Sequence, residues 1–211
     1  MDKNQEHLET IRDIRSLMER SSRFLPLSGL SGILIGVWAL GCIAIAYALL
    51  GISLQDPGYY HLLMQNGQLS SANFPLILVD FILVLIISLS TGMFMAMRKA
   101  KKMKLPVWDA TARRMLANLA IPLVAGGLYC LILLYRGEIA LIAPATLLFY
   151  GLALLNASKY TINEMRFLGI LEITTGLLGA LFADYGLLFW ALGFGSLHIV
   201  YGILIYYKYE K

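Results

Sequence analysis

Residues 167–183, FLGILEITTGLLGALFA, and residues 187–207, LLFWALGFGSLHIVYGILIYY, are two apolar runs separated only by Asp184-Tyr185-Gly186. Each is close to the roughly 20 residues of helix that cross a hydrocarbon core of about 30 Å. Yet the pair carries Glu172 and His198. A carboxylate and an imidazole at such depth are costly and demand a partner or a function.

The rest of the chain repeats this pattern. Of 211 residues, 59% are apolar and 14% charged, outside the composition of ordinary soluble domains. Polar residues are swept into the connections rather than forming helix faces. The expected fold class is all-α: a polytopic membrane bundle of six transmembrane helices in three hairpins. The spans are expected at about 27–50, 74–97, 115–135, 139–160, 167–183 and 187–207. Residues 1–26 form a separate polar segment, and 27–211 a single six-span domain. In the former, Leu8, Ile11, Ile14 and Met18 recur at helical spacing, which predicts a short amphipathic helix on the cytoplasmic side.

Basic residues set the orientation. Counted by alternate connections, the N-terminus, second connection, fourth connection and C-terminus hold five, seven, two and two Lys or Arg. The opposite side holds only Arg136. This bias places both termini in the cytoplasm of a multi-pass cytoplasmic (inner) membrane protein. It also accounts for the net charge of +4 without nucleic acid. The densest basic run, residues 98–104 (Arg98, Lys99, Lys101, Lys102, Lys104), is either topogenic charge or a contact for anionic lipid headgroups.

Ser28, Gly32 and Gly36 form a small-residue series on the first span, suited to close helix approach. The outer connection, residues 51–73, has no Lys or Arg; Asp56 and His61 could form a ligand site there. Cys42 and Cys130 lie within apolar runs and read as small apolar filler. The fourth span has Pro144 either in its turn or in its helix. Asn118 and Asn156 are expected to bond to neighbouring helices.

Residues 143–150 (APATLLFY) echo residues 183–190 (ADYGLLFW), and Arg23-Phe24-Leu25 echoes Arg166-Phe167-Leu168. Glu19-Arg20-Ser21-Ser22-Arg23-Phe24 with residues 27–32 (LSGLSG), residues 156–160 (NASKY) and residues 193–198 (GFGSLH) resembles an uncharacterised family of six-span bacterial integral membrane proteins. The last hairpin is more faintly similar to HdeD-type acid-resistance membrane proteins. These resemblances imply the six-span, three-hairpin plan and no assigned activity.

In a hairpin closed at Tyr185, Glu172 lies at the depth of His198, Thr175 at that of Gly195, and Gly179 at that of Ala191. Glu172, Thr175, Gly176 and Gly179 share one face of the fifth span; Ala191, Gly195, His198 and Gly202 share one face of the sixth. Two small-residue faces are therefore expected to meet, with Glu172 against His198 roughly 20 Å below the outer surface. The pair is either proton-responsive or ligand-binding, or a structural bond that sets helix register. Asp80 lies nearer the outer surface, by roughly 9 Å. It is expected to line a cavity or to bond Tyr59, Tyr60 or a helix terminus.

Catalytic motifs are absent from the sequence: no paired-His metal motif, phosphate loop, dinucleotide fingerprint or nucleophile elbow. No cofactor or metal is expected. Ser196 and His198 diverge by about 200° on one helix and form no local pair. The leading expectation is a non-enzymatic membrane protein that senses, stabilises or docks a partner, itself or another membrane protein. The alternatives are a small proton-coupled transporter or channel using Glu172, His198 and Asp80, and an intramembrane lipid-acting enzyme.

Overall fold

The computed structural model describes residues 28–53, 56–65, 68–106 and 108–211. The amphipathic segment expected over residues 1–26 lies outside these. Helix α1 is Gly29–Leu50, α2 is Asn73–Lys102, α3 is Ala110–Tyr135, α4 is Ile142–Ala157 and α5 is Glu164–Leu181. A sixth rod spans Ala183–Tyr209. It consists of a 3-10 turn, α6 (Gly186–Trp190), a π-helical stretch Ala191–Leu197, and α7 (His198–Tyr209). The connection between α1 and α2 adds a 3-10 turn and a minimal antiparallel ladder, with Met64 opposite Leu69.

Local chemistry explains the boundaries. α2 runs on through Lys99, Lys101 and Lys102, good helix formers at the negative end of the helix dipole. α3 begins at Ala110 because Asp109 caps it, accepting from the Ala112 N–H at 2.6 Å. Pro144 sits in the first turn of α4, where a missing N–H leaves no bond unmade. The leftward turn at Gly51 (φ 64°) ends α1.

Among the described residues, five stretches are long and apolar enough to cross a membrane: Gly29–Leu50, Asn73–Lys102, Ala110–Tyr135, Ile139–Tyr160 and Ala183–Tyr209. The chain is a helical bundle with the character of a multi-pass membrane protein. α5 is shorter, 18 residues, and carries Glu164, Arg166 and Glu172. Apolar side chains of α2 and α3 face outward, Leu89 at 64% exposure and Ile121 at 68%. Apolar surface on that scale requires lipid as its solvent.

The helix partners differ from expectation. Gly169 and Gly176 on the α5 face close on α4 and not on the glycines of the sixth rod, although Glu172 on the same face does reach His198. A Cβ at Gly151 would lie 2.6 Å from the Gly169 carbonyl oxygen and 2.7 Å from the Ile173 nitrogen; one at Gly176 would lie 2.8 Å from the Leu148 nitrogen. The small face of the sixth rod closes on α1 instead. A Cβ at Gly32 would lie 3.0 Å from the Cα of Gly202, and one at Gly36 would lie 2.6 Å from the Gly195 carbonyl oxygen. Gly179 meets Phe189 and the Pro144 ring rather than Ala191. The reason is general: a stripe of small residues permits backbone contact with any helix that offers a matching groove.

The two ends of the bundle are clasped by polar groups. At one, Glu210 accepts from the Gly29 N–H at 2.7 Å and from Lys99 at 2.9 Å, while Glu164 accepts from Lys208 and Tyr209. At the other, the Asp184 carbonyl accepts from the Gly58 N–H at 2.9 Å and its carboxylate from the Tyr60 hydroxyl at 2.8 Å, pinning the α1–α2 connection to the turn before α6. That hydrogen bond to the Asp184 carboxylate, with some burial, pushes the Tyr60 phenol above its ordinary value.

Candidate functional site: a buried acid, imidazole and phenol

The α5 face that turns inward carries Leu168, Gly169, Glu172, Thr175, Gly176 and Gly179, all buried. Because the glycines admit α4 at backbone distance, Glu172 is drawn fully inside, at 0% exposure. Its Oε1 lies 3.3 Å from Nδ1 of His198, itself 4% exposed. Thr175 lies one turn along the same buried face.

His198 begins α7 where the π-helical stretch ends. A π turn widens the helix and displaces its carbonyls from α-helical partners. Here the Gly193 carbonyl lies 3.1 Å from His198 Nδ1, five residues on. The other ring nitrogen, Nε2, lies 2.8 Å from the Tyr150 hydroxyl on α4. The phenol also stacks on the imidazole, centroids 5.4 Å apart. From there aromatic contacts run outward: Tyr150 to Phe194 at 4.9 Å, Phe194 to Trp190 at 4.7 Å, and Trp190 to Phe81 on α2 at 4.9 Å.

Glu172 Oε1 lies beside His198 Nδ1, yet both carboxyl oxygens lack a hydrogen-bond donor among the described residues. These two facts are compatible. A proton on Nδ1 that is directed at the Gly193 carbonyl leaves the 3.3 Å approach to Glu172 a close contact and not an aligned hydrogen bond. Gly193 is part of the arrangement: a Cβ there would fall 2.5 Å from Glu172 Oε2.

The same heavy-atom positions accommodate two protonation patterns. With a neutral imidazole, Nδ1–H donates to Gly193 and Nε2 accepts from Tyr150. With an imidazolium beside a carboxylate, Nδ1–H is shared between Gly193 and Glu172, and Nε2–H donates to the Tyr150 oxygen. A proton added or removed therefore rewires bonds to α4, α5 and the π stretch together.

Asp80 belongs to a different place. It bonds to neither Tyr59 nor Tyr60: the Cys42 thiol of α1 donates to its Oδ2 at 3.2 Å, tying α1 to α2. Cys42 is thus a polar partner as well as a small filler. An apolar cavity of about 260 Å³ lies beside Phe81, Cys130 and Trp190, and Asp80 does not line it. Asp56 accepts from the Ser53 N–H at 2.7 Å, while His61 stacks on Tyr60 at 4.3 Å, so the two serve separate local roles. Among the described residues no three His, Cys, Asp or Glu gather to hold a metal ion. Asn156 donates to the Asn118 carbonyl at 2.9 Å, joining α4 to α3, whereas the Asn118 side chain turns back to Arg114 of its own helix.

Sequence reasoning overlooked Tyr150, Gly193 and the Cys42–Asp80 bond. One signal pointed to Tyr150: in the internal echo it occupies the place of Trp190, another aromatic of the column. Comparison of the chain with known protein families, with curated proteins and with solved structures finds no match.

Proposed function

We propose that the protein is a non-enzymatic, six-span sensor of the cytoplasmic membrane, both termini cytoplasmic, whose buried Glu172–His198 pair responds to protons. The observation that carries this reading is the carboxyl group of Glu172, wholly buried without a donor among the described residues and 3.3 Å from an imidazole that is bonded to two further elements. Such a pair is a two-state element that one proton can bias, and imidazole is the side chain that ordinarily changes charge near neutral pH. The groups facing His198 are Glu172 from α5, Tyr150 from α4 and the Gly193 carbonyl.

A sixth span is supported by the dimensions of α5. Its 18 residues extend about 27 Å, and its charged residues are accommodated: Glu164 is tied to Lys208 and Tyr209 at the bundle end, and Glu172 is buried. Sixteen basic residues against one support the orientation.

The test uses purified Glu172→Gln and His198→Gln proteins in detergent. Thermal unfolding of the unaltered protein should vary between about pH 5 and pH 8, and both substitutions should flatten that dependence. If both leave the pH profile and every cellular phenotype unchanged, the pair is not the centre of function. Proton-coupled transport is less well supported, because Asp80 is engaged by Cys42 on another helix pair and Glu172 lines neither the apolar cavity beside Trp190 nor the cavity at the basic end of the bundle. Proton-dependent flux in proteoliposomes that Glu172→Gln abolishes would reverse that ranking.

A further inference from the structure

A cavity of about 680 Å³ opens at the basic end of the bundle, between the start of α1, the end of α2, Ile162 and the end of α7. Its volume falls within the roughly 300–1,000 Å³ of sites that enclose small ligands. Among the described residues three cations line it, Arg98, Lys99 and Lys102, against one carboxylate, Glu210. Lys99 is matched to Glu210 at 2.9 Å. Arg98 and Lys102 are exposed, without a carboxylate partner among the described residues. Among the described residues the rest of the wall is Ser28 with apolar and aromatic side chains.

We propose that this cavity binds the headgroup of an anionic phospholipid, with Arg98 and Lys102 on the phosphate and Leu30, Met95 and Ile205 beside the first part of the acyl chains. The lining has the two-sided character such a molecule needs. Positive charge sits at one rim, and apolar surface continues from it into helices that face hydrocarbon. A water-soluble anion would use only the first. A lipid whose headgroup carries no net charge would use only the second. Lys101 and Arg113 share the same basic connection but do not line the cavity, so charge that merely sets topology can be separated from charge that binds.

The test is thermal unfolding of the full-length protein in a neutral detergent, with phosphatidylglycerol, phosphatidylcholine or inorganic phosphate added. Phosphatidylglycerol should raise the unfolding midpoint well above the effect of phosphatidylcholine, and phosphate should leave it unmoved. Arg98→Gln with Lys102→Gln should weaken binding of phosphatidylglycerol about thirtyfold, since each basic residue near an anionic surface is worth about 1 kcal/mol. Lys101→Gln with Arg113→Gln should leave it within about threefold. Equal effects of the two lipids, a full shift with phosphate alone, or equal losses in the two double variants would each overturn the proposal. Native mass spectrometry of the unaltered protein supplies an independent reading: one phosphatidylglycerol retained in preference to phosphatidylcholine supports the site, and no preference refutes it.

Discussion

At the residue scale, the centre of the molecule depends on small numbers of atoms. Tyr150→Phe removes the hydroxyl 2.8 Å from His198 Nε2 but keeps the ring stack. Leaving a buried ring nitrogen unpaired costs about 1–3 kcal/mol, so chemical denaturation should show a loss of that size. Retention of full stability would mean the phenol is not part of the network. Gly193→Ala tests the other side. Its methyl would meet Glu172 Oε2 and the Leu147 side chain, both fully buried. A loss of about 1–3 kcal/mol from overpacking is expected, measured the same way. The smaller Cys42–Asp80 contact predicts that Asp80→Asn, which keeps an acceptor for the thiol, is tolerated better than Asp80→Leu.

At the scale of elements, the bundle is held by two glycine crossings, α4 on α5 and α1 on α7. Neither relies on a hydrophobic effect, since lipid tails are as apolar as the helices. Both rely on distance. Gly202→Leu would drive a side chain into the backbone of Ile33 and Gly29, at 2.5 and 2.7 Å from its Cβ. The cost should reach about 3 kcal/mol or more, seen as a fall in the thermal midpoint and loss of the monodisperse protein. Gly127→Leu is the matched control, because nothing lies within 4 Å of its added Cβ; it should leave the midpoint nearly unchanged. The π stretch between α6 and α7 belongs to the same scale. It is where Gly193 and Gly195 reduce side-chain bulk and where the imidazole acquires its carbonyl partner.

For the whole molecule, the notable contact joins the two ends of the described chain. Glu210 holds the first N–H of α1 and the Lys99 ammonium at the end of α2. Burial opposes its charge, but Lys99, the Gly29 N–H and Ser28 outweigh burial and hold its carboxyl below the ordinary range. Glu164 behaves likewise: burial opposes its charge, and Lys208, its own backbone N–H and Tyr209 outweigh it. A carboxylate held low stabilises the fold above its unfolded value of about 4.3 and ceases to do so as pH falls through the lowered folded value. Unfolding midpoints should therefore drop on acidification below about pH 4, and Glu210→Gln should remove part of that drop. An unchanged acid limb in Glu210→Gln would show that the clasp does not couple to stability.

The sequence by itself determined the helical, membrane-crossing character, because apolar runs of hydrocarbon length admit no other backbone state that satisfies every N–H and C=O. It also determined the depth match of Glu172 and His198. Two helices joined by three residues must run back along each other, and counting from the turn then places both groups at one level. Their 3.3 Å separation follows that arithmetic. Tertiary structure alone decided which helices the small faces meet. Gly176 and Gly202 advertise close approach but not a partner, and the partners turned out to be α4 and α1. It also decided that Tyr150 completes the imidazole's bonding, that Cys42 engages Asp80, and that one rod changes to π-helical winding at Ala191. Each of these depends on contact between residues far apart in the chain, and a periodicity read along one segment carries no information about the segment packed against it.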